Sequence, residues 1–174
     1  MNKRNPKNER IKRRYGEFLK HADGKAEATI RQVEKAIQRY EDFTSSADFA
    51  TFDQRRSKAF KAHLVERGLS KATMLSNVTA LKRFFGWLAH QPGYKSRIAF
   101  TDIEYLNLAD KDVRAAKAPA ERAYPTIEQV EHAISRMPAR TDIERRDRAL
   151  IAFTAITGVR DGALISLSVR PKSC

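Results

Sequence analysis

Apolar residues recur at three- and four-residue spacings along most of the chain, which is the pattern of amphipathic α-helices. In residues 26–43 this stripe consists of Ile30, Val33, Ile37, Tyr40 and Phe43. Segments that alternate polar and apolar residues are few, and glycine and proline are scarce, so the pattern does not favour strands. We therefore predict an all-α arrangement for the N-terminal part of the chain.

A second helix is predicted after residue 51, with Phe52, Phe60 and Leu64 as its buried stripe. Thr51 and Gln54 fit a capping box at its start, and Gly68 fits its C-terminal end.

A third helix is predicted to begin after Ser70, a favourable N-cap residue, and to end before Pro92-Gly93. Its expected core face consists of Leu75, Val78, Leu81, Phe85 and Leu88. A shorter helix is expected at 101–106.

Residues 108–125 break this periodicity, because they are rich in alanine and charge and contain two prolines. We interpret them as an interdomain linker that is partly helical. Beyond it, Thr126 with Gln129 and Thr141 with Glu144 each fit a capping box. The second of these helices is expected to end at Gly158. Its stripe of Leu150, Phe153 and Ile156 would ordinarily face a core, but we expect it to lack covering elements in this chain.

Positive charge is abundant and unevenly distributed. The 174 residues contain 34 lysines and arginines against 21 acids, a net charge of +13. Residues 1–20 and residues 51–90 each contain eight basic against two acidic residues, so these two blocks carry nearly all of the excess. Localised positive charge points to a polyanion such as nucleic acid, although a solvated surface chosen for solubility has the same composition.

The basic block at 51–90 covers two predicted helices whose outward faces suit DNA. Cations there would hold phosphates, while hydroxyl and amide side chains would reach base edges in a major groove. The candidate DNA-binding residues are Arg55, Lys58, Lys61, Lys71, Thr73, Ser76, Asn77, Lys82 and Arg83. Residues 1–24 are expected to form a basic arm that adds affinity for phosphates.

Two motifs resemble the tyrosine recombinases of the phage integrase family. The stretch Ser-Lys-Ala-Thr, followed by Leu-x-x-Val-x-x-Leu-Lys-Arg-Phe-Phe, is similar to the N-terminal core-binding domain of that family. The stretch TGVRDGALISL is similar to the motif of its first catalytic arginine, and the matching residues are Thr157, Gly158, Arg160, Leu164 and Leu167.

The resemblance implies a SAM-like helical bundle that binds DNA, followed by an α/β catalytic domain whose tyrosine attacks a phosphodiester. Arg160 would correspond to an arginine that holds the reacting phosphate. Two features depart from the family pattern: Ala163 replaces its usual glutamate, and all five tyrosines precede Arg160. The expectation is therefore a recombinase cut short, in which Arg160 is a remnant and DNA is not cleaved.

These observations combine into one expected domain organisation. A basic arm at 1–24 precedes a core-binding helical domain at 25–107, the linker at 108–125, and the first helices of an incomplete α/β catalytic domain at 126–174. The expected partners are double-stranded DNA and other recombinase protomers, without a membrane or a small-molecule substrate. No metal or other cofactor is expected, and the single cysteine, Cys174, suggests a cytoplasmic protein.

Two alternatives remain open on the sequence alone. The chain could be a stand-alone DNA-binding regulator, or a general basic nucleic-acid-binding protein without recombinase ancestry. The last alternative predicts equal affinity for RNA and DNA.

Overall fold

A computed structural model describes residues 4–119 and 123–166, apart from the side chain of residue 161. The described residues form nine α-helices and a short 3-10 turn, and contain no strand. The helices are α1 Pro6–His21, α2 Glu27–Phe43, α3 Gln54–Glu66, α4 Lys71–Leu88, α5 Phe100–Glu104, α6 Asp110–Lys117, α7 Ile127–Arg136, α8 Asp142–Thr157 and α9 Asp161–Ile165. The all-α prediction is confirmed. The chain divides into two compact units, residues 1–119 and 120–174.

An aromatic core holds the first unit together. The rings of Phe52 and Phe85 stack with their centroids 3.8 Å apart, and Tyr40 of α2 meets Phe60 and Phe85 edge to face. Such ring pairs stabilise a core beyond the area that they bury. Because the rings come from α2, α3, α4 and the turn before α3, this cluster fixes the position of α4 within the bundle.

The first helix belongs to this bundle, which differs from the basic arm expected at residues 1–24. Ile11, Tyr15 and Leu19 of α1 are buried, and the Tyr15 ring packs against Phe84 and Trp87 of α4. The three buried residues are spaced four apart, so they form one stripe on the helix. Because lysine and arginine surround this stripe, the sequence pattern suggested a basic arm and not a packed helix.

A buried polar network also anchors α1. The Asn8 side chain donates hydrogen bonds to the Glu41 carboxylate (3.0 Å) and to the Ala47 carbonyl (2.9 Å). Lys12 pairs with the same carboxylate at 2.6 Å. Burial lowers the pKa of Lys12, but hydrogen bonds to Glu41 and Glu9 outweigh it and leave the pKa raised. Helix α1 is therefore held in one position by both apolar and polar contacts.

Most predicted helix ends are confirmed. The hydroxyls of Ser70, Thr126 and Thr141 accept hydrogen bonds from backbone amides in the first turns of α4, α7 and α8. Gly158 ends α8 with a left-handed backbone (φ 63°), a conformation that favours glycine. The prediction for α3 was wrong, because Asp53 caps that helix by accepting from the Arg56 amide at 2.8 Å.

The segment expected to be a linker, 108–125, contains helix α6. This helix lies beside α4, where Lys71 pairs with Asp112 at 3.0 Å and Val113 lines a cavity with Leu75 and Val78. The boundary between the two units follows Pro119, within the predicted linker. Val113 is the one large apolar residue of α6, so the sequence pattern did not indicate that this helix packs against α4.

The second unit buries little apolar surface within its described residues. None of the residues described there is buried, and Ile127, Leu150, Phe153 and Ile156 are exposed, with Ile156 86% accessible. The expectation that the stripe of Leu150, Phe153 and Ile156 lacks covering elements is confirmed among the described residues. Leu167, matched by the resemblance, lies outside the described residues, as does the rest of 167–174.

Candidate nucleic-acid interface

The outward face of α4 carries the hydroxyls that the sequence predicted. Ser76 is exposed and Thr73 is half-buried, and both line a cavity of about 410 Å³ between α4 and α2. A neighbouring cavity of about 350 Å³ includes Ser76, Thr79 and Arg83. The α2–α4 groove, defined as these two adjoining cavities, thus places short polar side chains and a guanidinium on one surface.

Arg39 of α2 completes this groove. Its Nη1 donates a 2.9 Å hydrogen bond to the Oδ1 of Asn77, and its side chain lines the same cavity as Gln32 and Thr73. Neither Arg39 nor Gln32 was predicted from the sequence as a DNA-binding residue. The two residues are seven positions apart, which places both on one flank of α2. This spacing was the feature of the sequence that could have indicated a shared surface.

Asn77 does not occupy the outward position that the sequence predicted. Its side chain is 2% exposed, and its Nδ2 donates a 2.6 Å hydrogen bond to the Thr73 carbonyl. With its Oδ1 accepting from Arg39, the amide uses both of its polar ends inside the protein. Because it is buried and bonded at both polar ends, Asn77 positions Arg39 and does not face a base.

Two predicted cations of α4 are paired with acids. Lys71 contacts Asp112, and Lys82 contacts both Glu104 (3.0 Å) and the Asn107 side-chain oxygen (3.1 Å). The hydrogen bond from Lys82, together with its charge, lowers the pKa of the exposed Glu104 carboxyl. These acids offset part of the positive charge that a count of lysines assigns to α4.

Two of the four lysines and arginines of α3 lie at the turn after α5. Lys58 lies over the Tyr105 ring with its Nζ 4.8 Å from the centroid, and Lys61 donates to the Asn107 carbonyl at 2.9 Å. Since Lys82 also donates to Asn107, this residue brings a cation of α3 next to one of α4. Burial, followed by the nearby charge of Lys58, lowers the pKa of Lys61.

Most of the candidate residues therefore lie at one of two places in the first unit. Thr73, Ser76 and Arg83 lie at the α2–α4 groove, whereas Lys58, Lys61 and Lys82 surround Tyr105 and Asn107. Arg55 and Arg83 are exposed and form no ion pair within residues 4–119.

Arg160 lies in the second unit, directly before α9. It is the N-cap residue of that five-residue helix, is exposed, and follows the left-handed turn at Gly158. Within the described part of this unit, no ion pair involves Arg160. Its guanidinium is thus accessible to an anion such as phosphate.

The described helices offer neither a membrane span nor a cluster of metal ligands. None of them is long and apolar enough to cross a bilayer. No group of three or more histidine, cysteine or acidic side chains with the proximity needed to bind a metal occurs in the parts of the chain that the structure describes.

Comparison with known proteins identifies one domain. Residues 13–92 match the sequence model of the family described as phage integrase, N-terminal SAM-like domain. This match covers α2, α3, α4 and most of α1, and so includes both sides of the α2–α4 groove. The resemblance to that family's N-terminal domain is confirmed. No curated protein matches the chain, and no solved structure matches it.

Proposed function

We propose that the chain, whose residues 13–92 match the family model described as phage integrase, N-terminal SAM-like domain, binds double-stranded DNA as the DNA-binding part of a site-specific tyrosine recombinase. The α2–α4 groove is the proposed contact surface. A cytoplasmic location accords with this role. The other proposed partners are recombinase protomers bound to the same DNA.

The observation that carries this proposal is the anchored guanidinium of Arg39 beside the hydroxyl side chains of Thr73 and Ser76. Asn77 fixes Arg39 from within the bundle, so little side-chain freedom is lost when Arg39 meets a phosphate. A guanidinium also presents a planar pair of donors that matches two phosphate oxygens. Ser76 and Thr73, next to it, are of the residue types that contact base edges.

The remaining candidates receive supporting roles. Arg83 would hold a second phosphate at the other end of the α2–α4 groove. Arg55, Lys58, Lys61, Lys71 and Lys82 would add charge that attracts the duplex, weakened where acids pair with Lys71 and Lys82. Asn77 would act on DNA only through Arg39.

Catalysis is a separate part of the proposal. Arg160 is proposed to hold a phosphate, as a fixed cation that stabilises charge on phosphoryl oxygens. Covalent chemistry on DNA also requires a nucleophile. Every tyrosine of the 174-residue chain precedes Arg160, and none lies in the motif that carries it. We therefore propose that this polypeptide binds DNA and does not cleave it by itself.

A salt titration of the full chain tests DNA binding by the groove. The affinity for a labelled 30-base-pair duplex is measured by fluorescence anisotropy for the wild type and for the R39Q/R83Q double variant. Losing two phosphate contacts should lower affinity about tenfold or more and reduce the slope of log affinity against log salt by about two.

The control is R13Q/K20Q, which removes two charges from exposed positions of α1. It should leave affinity near the wild-type value. Equal losses in both double variants would show that only net charge matters. Equal affinity of the wild type for RNA and DNA duplexes would favour a general nucleic-acid-binding protein.

A further inference from the structure

A second cationic surface lies on α1, away from the residues of the α2–α4 groove. Lys7, Arg10 and Arg14 of α1 line a cavity of about 280 Å³ together with Ile11 and Tyr94. On a helix that turns about 100° per residue, the three cations fall within roughly 60° of one another. They form a row along about 10 Å of the helix, given a rise of about 1.5 Å per residue.

The loop after α4 supplies the other wall of this cavity. Tyr94 is half-buried there, and Arg14 is steered towards the loop by a 3.0 Å hydrogen bond from its Nη2 to the Gln91 side chain. Burial raises the pKa of the Tyr94 phenol, and the charge of Asp48 adds to this, whereas Arg97, Arg10 and Arg14 oppose it. The phenol therefore keeps its proton at neutral pH and remains a hydrogen-bond donor.

Negative charge near this surface is sparse. Asp48 contacts Lys7 at 3.6 Å, while Arg10, Arg14 and Arg97 have no acidic partner within residues 4–119. The other acid of this helix segment, Glu9, pairs with Lys12. Helix α1 is itself immobilised by the buried Asn8–Glu41 hydrogen bond, so the helix segment that carries the row of cations is held in place.

The geometry points to a second phosphodiester-binding surface, formed by Lys7, Arg10, Arg14 and Tyr94, that takes the backbone of duplex DNA. A row of cations with an adjacent hydroxyl donor complements a row of phosphates, since duplex DNA presents about one charge per 1.7 Å of its axis. The surface shares no residue with the α2–α4 groove. The inference rests on the proposed function only in taking DNA as the partner.

The test uses the full chain in which R39Q/R83Q has already removed the groove cations. Adding R10Q/R14Q should weaken binding to a labelled 30-base-pair duplex by a further tenfold or more at about 0.1 M salt. The slope of log affinity against log salt should fall by about two more units. Adding R13Q/K20Q instead, on the same helix and with the same change in charge, should have little effect.

The outcomes separate this inference from the proposed function. If R39Q/R83Q alone binds like the wild type while R10Q/R14Q still weakens binding, the groove proposal is wrong and the α1 surface stands. If R10Q/R14Q and R13Q/K20Q behave alike, the α1 surface is wrong. It is also wrong if R10Q/R14Q weakens binding of a labelled polyglutamate peptide but leaves duplex binding unchanged. Melting curves by circular dichroism establish that each variant is folded.

Discussion

Arg39 on α2 and Asn77 on α4 are joined by a 2.9 Å hydrogen bond that links a buried amide to an exposed guanidinium. The second bond of Asn77, to the Thr73 carbonyl, fixes the orientation of the amide. The two helices thereby present one cation in a defined position beside the hydroxyls of α4. Asn77, which the sequence predicted as a contact to DNA, instead positions Arg39, the residue proposed to bind the DNA phosphates.

Replacing Asn77 by leucine should weaken DNA binding although residue 77 touches no DNA. Arg39 would keep its charge but would have to be ordered on binding, at a cost of about 0.5–1.5 kcal/mol, which corresponds to roughly a twofold to twelvefold loss of affinity. The salt slope should stay unchanged because no charge is removed. Fluorescence anisotropy across a salt series measures both quantities.

Gln38 provides the control for this variant. It is an exposed amide on α2 that bonds Asp42, so Gln38→Leu should leave the affinity for DNA unchanged. Wild-type affinity in folded Asn77→Leu would contradict the positioning role.

Amide hydrogen exchange should be faster in α8 than in α4. Helix α4 contributes Leu81, Phe84, Phe85 and Leu88 to the core, whereas α8 has no buried residue and exposes Leu150 and Phe153. Local opening requires less free energy where few apolar contacts must be broken. Mass-spectrometric exchange on the monomeric chain compares residues 143–157 with 76–88. Equally slow exchange in both segments would show that the apolar face of α8 is covered in solution.

The 174-residue polypeptide should form no covalent complex with DNA. The proposed phosphate ligand Arg160 has no tyrosine after it in the sequence, and Tyr15 and Tyr40 are buried in the bundle. The assay incubates the chain with a labelled, nicked duplex that would trap a phosphotyrosyl intermediate, followed by denaturing electrophoresis. A labelled protein band abolished by a single Tyr→Phe substitution would refute catalytic silence.

The helices of the bundle were largely predictable, because the apolar spacings in α2, α3 and α4 are regular and their glycine and serine boundary signals are strong. Helix α1 was missed although Ile11, Tyr15 and Leu19 have the same spacing, since eight basic residues in positions 1–20 suggested an arm. In α4, the outward positions of Ser76 and Arg83 followed from helical periodicity. The burial of Asn77 did not, because it depends on α2 lying close enough for Arg39 to reach it.

The ion pairs formed by the lysines of α4 also could not be predicted from the sequence. Lys71 and Lys82 meet Asp112 and Glu104, acids that follow them by more than twenty residues in α6 and α5. Only the folded chain brings these groups together. The same holds for the α1 surface, whose Tyr94 wall comes from a loop about eighty residues after Arg14.

Photocrosslinking from α4 tests the central claim, that the α2–α4 groove contacts duplex DNA, most directly. Cys174 is replaced by serine, and a benzophenone is attached through Ser76→Cys or, as the control, through Lys20→Cys on the exposed side of α1. Irradiation with a labelled 30-base-pair duplex should yield a covalent DNA adduct from position 76, removed by excess unlabelled duplex, and little from position 20. An adduct from position 20 without one from position 76, with both proteins folded and bound to the duplex, would contradict the claim.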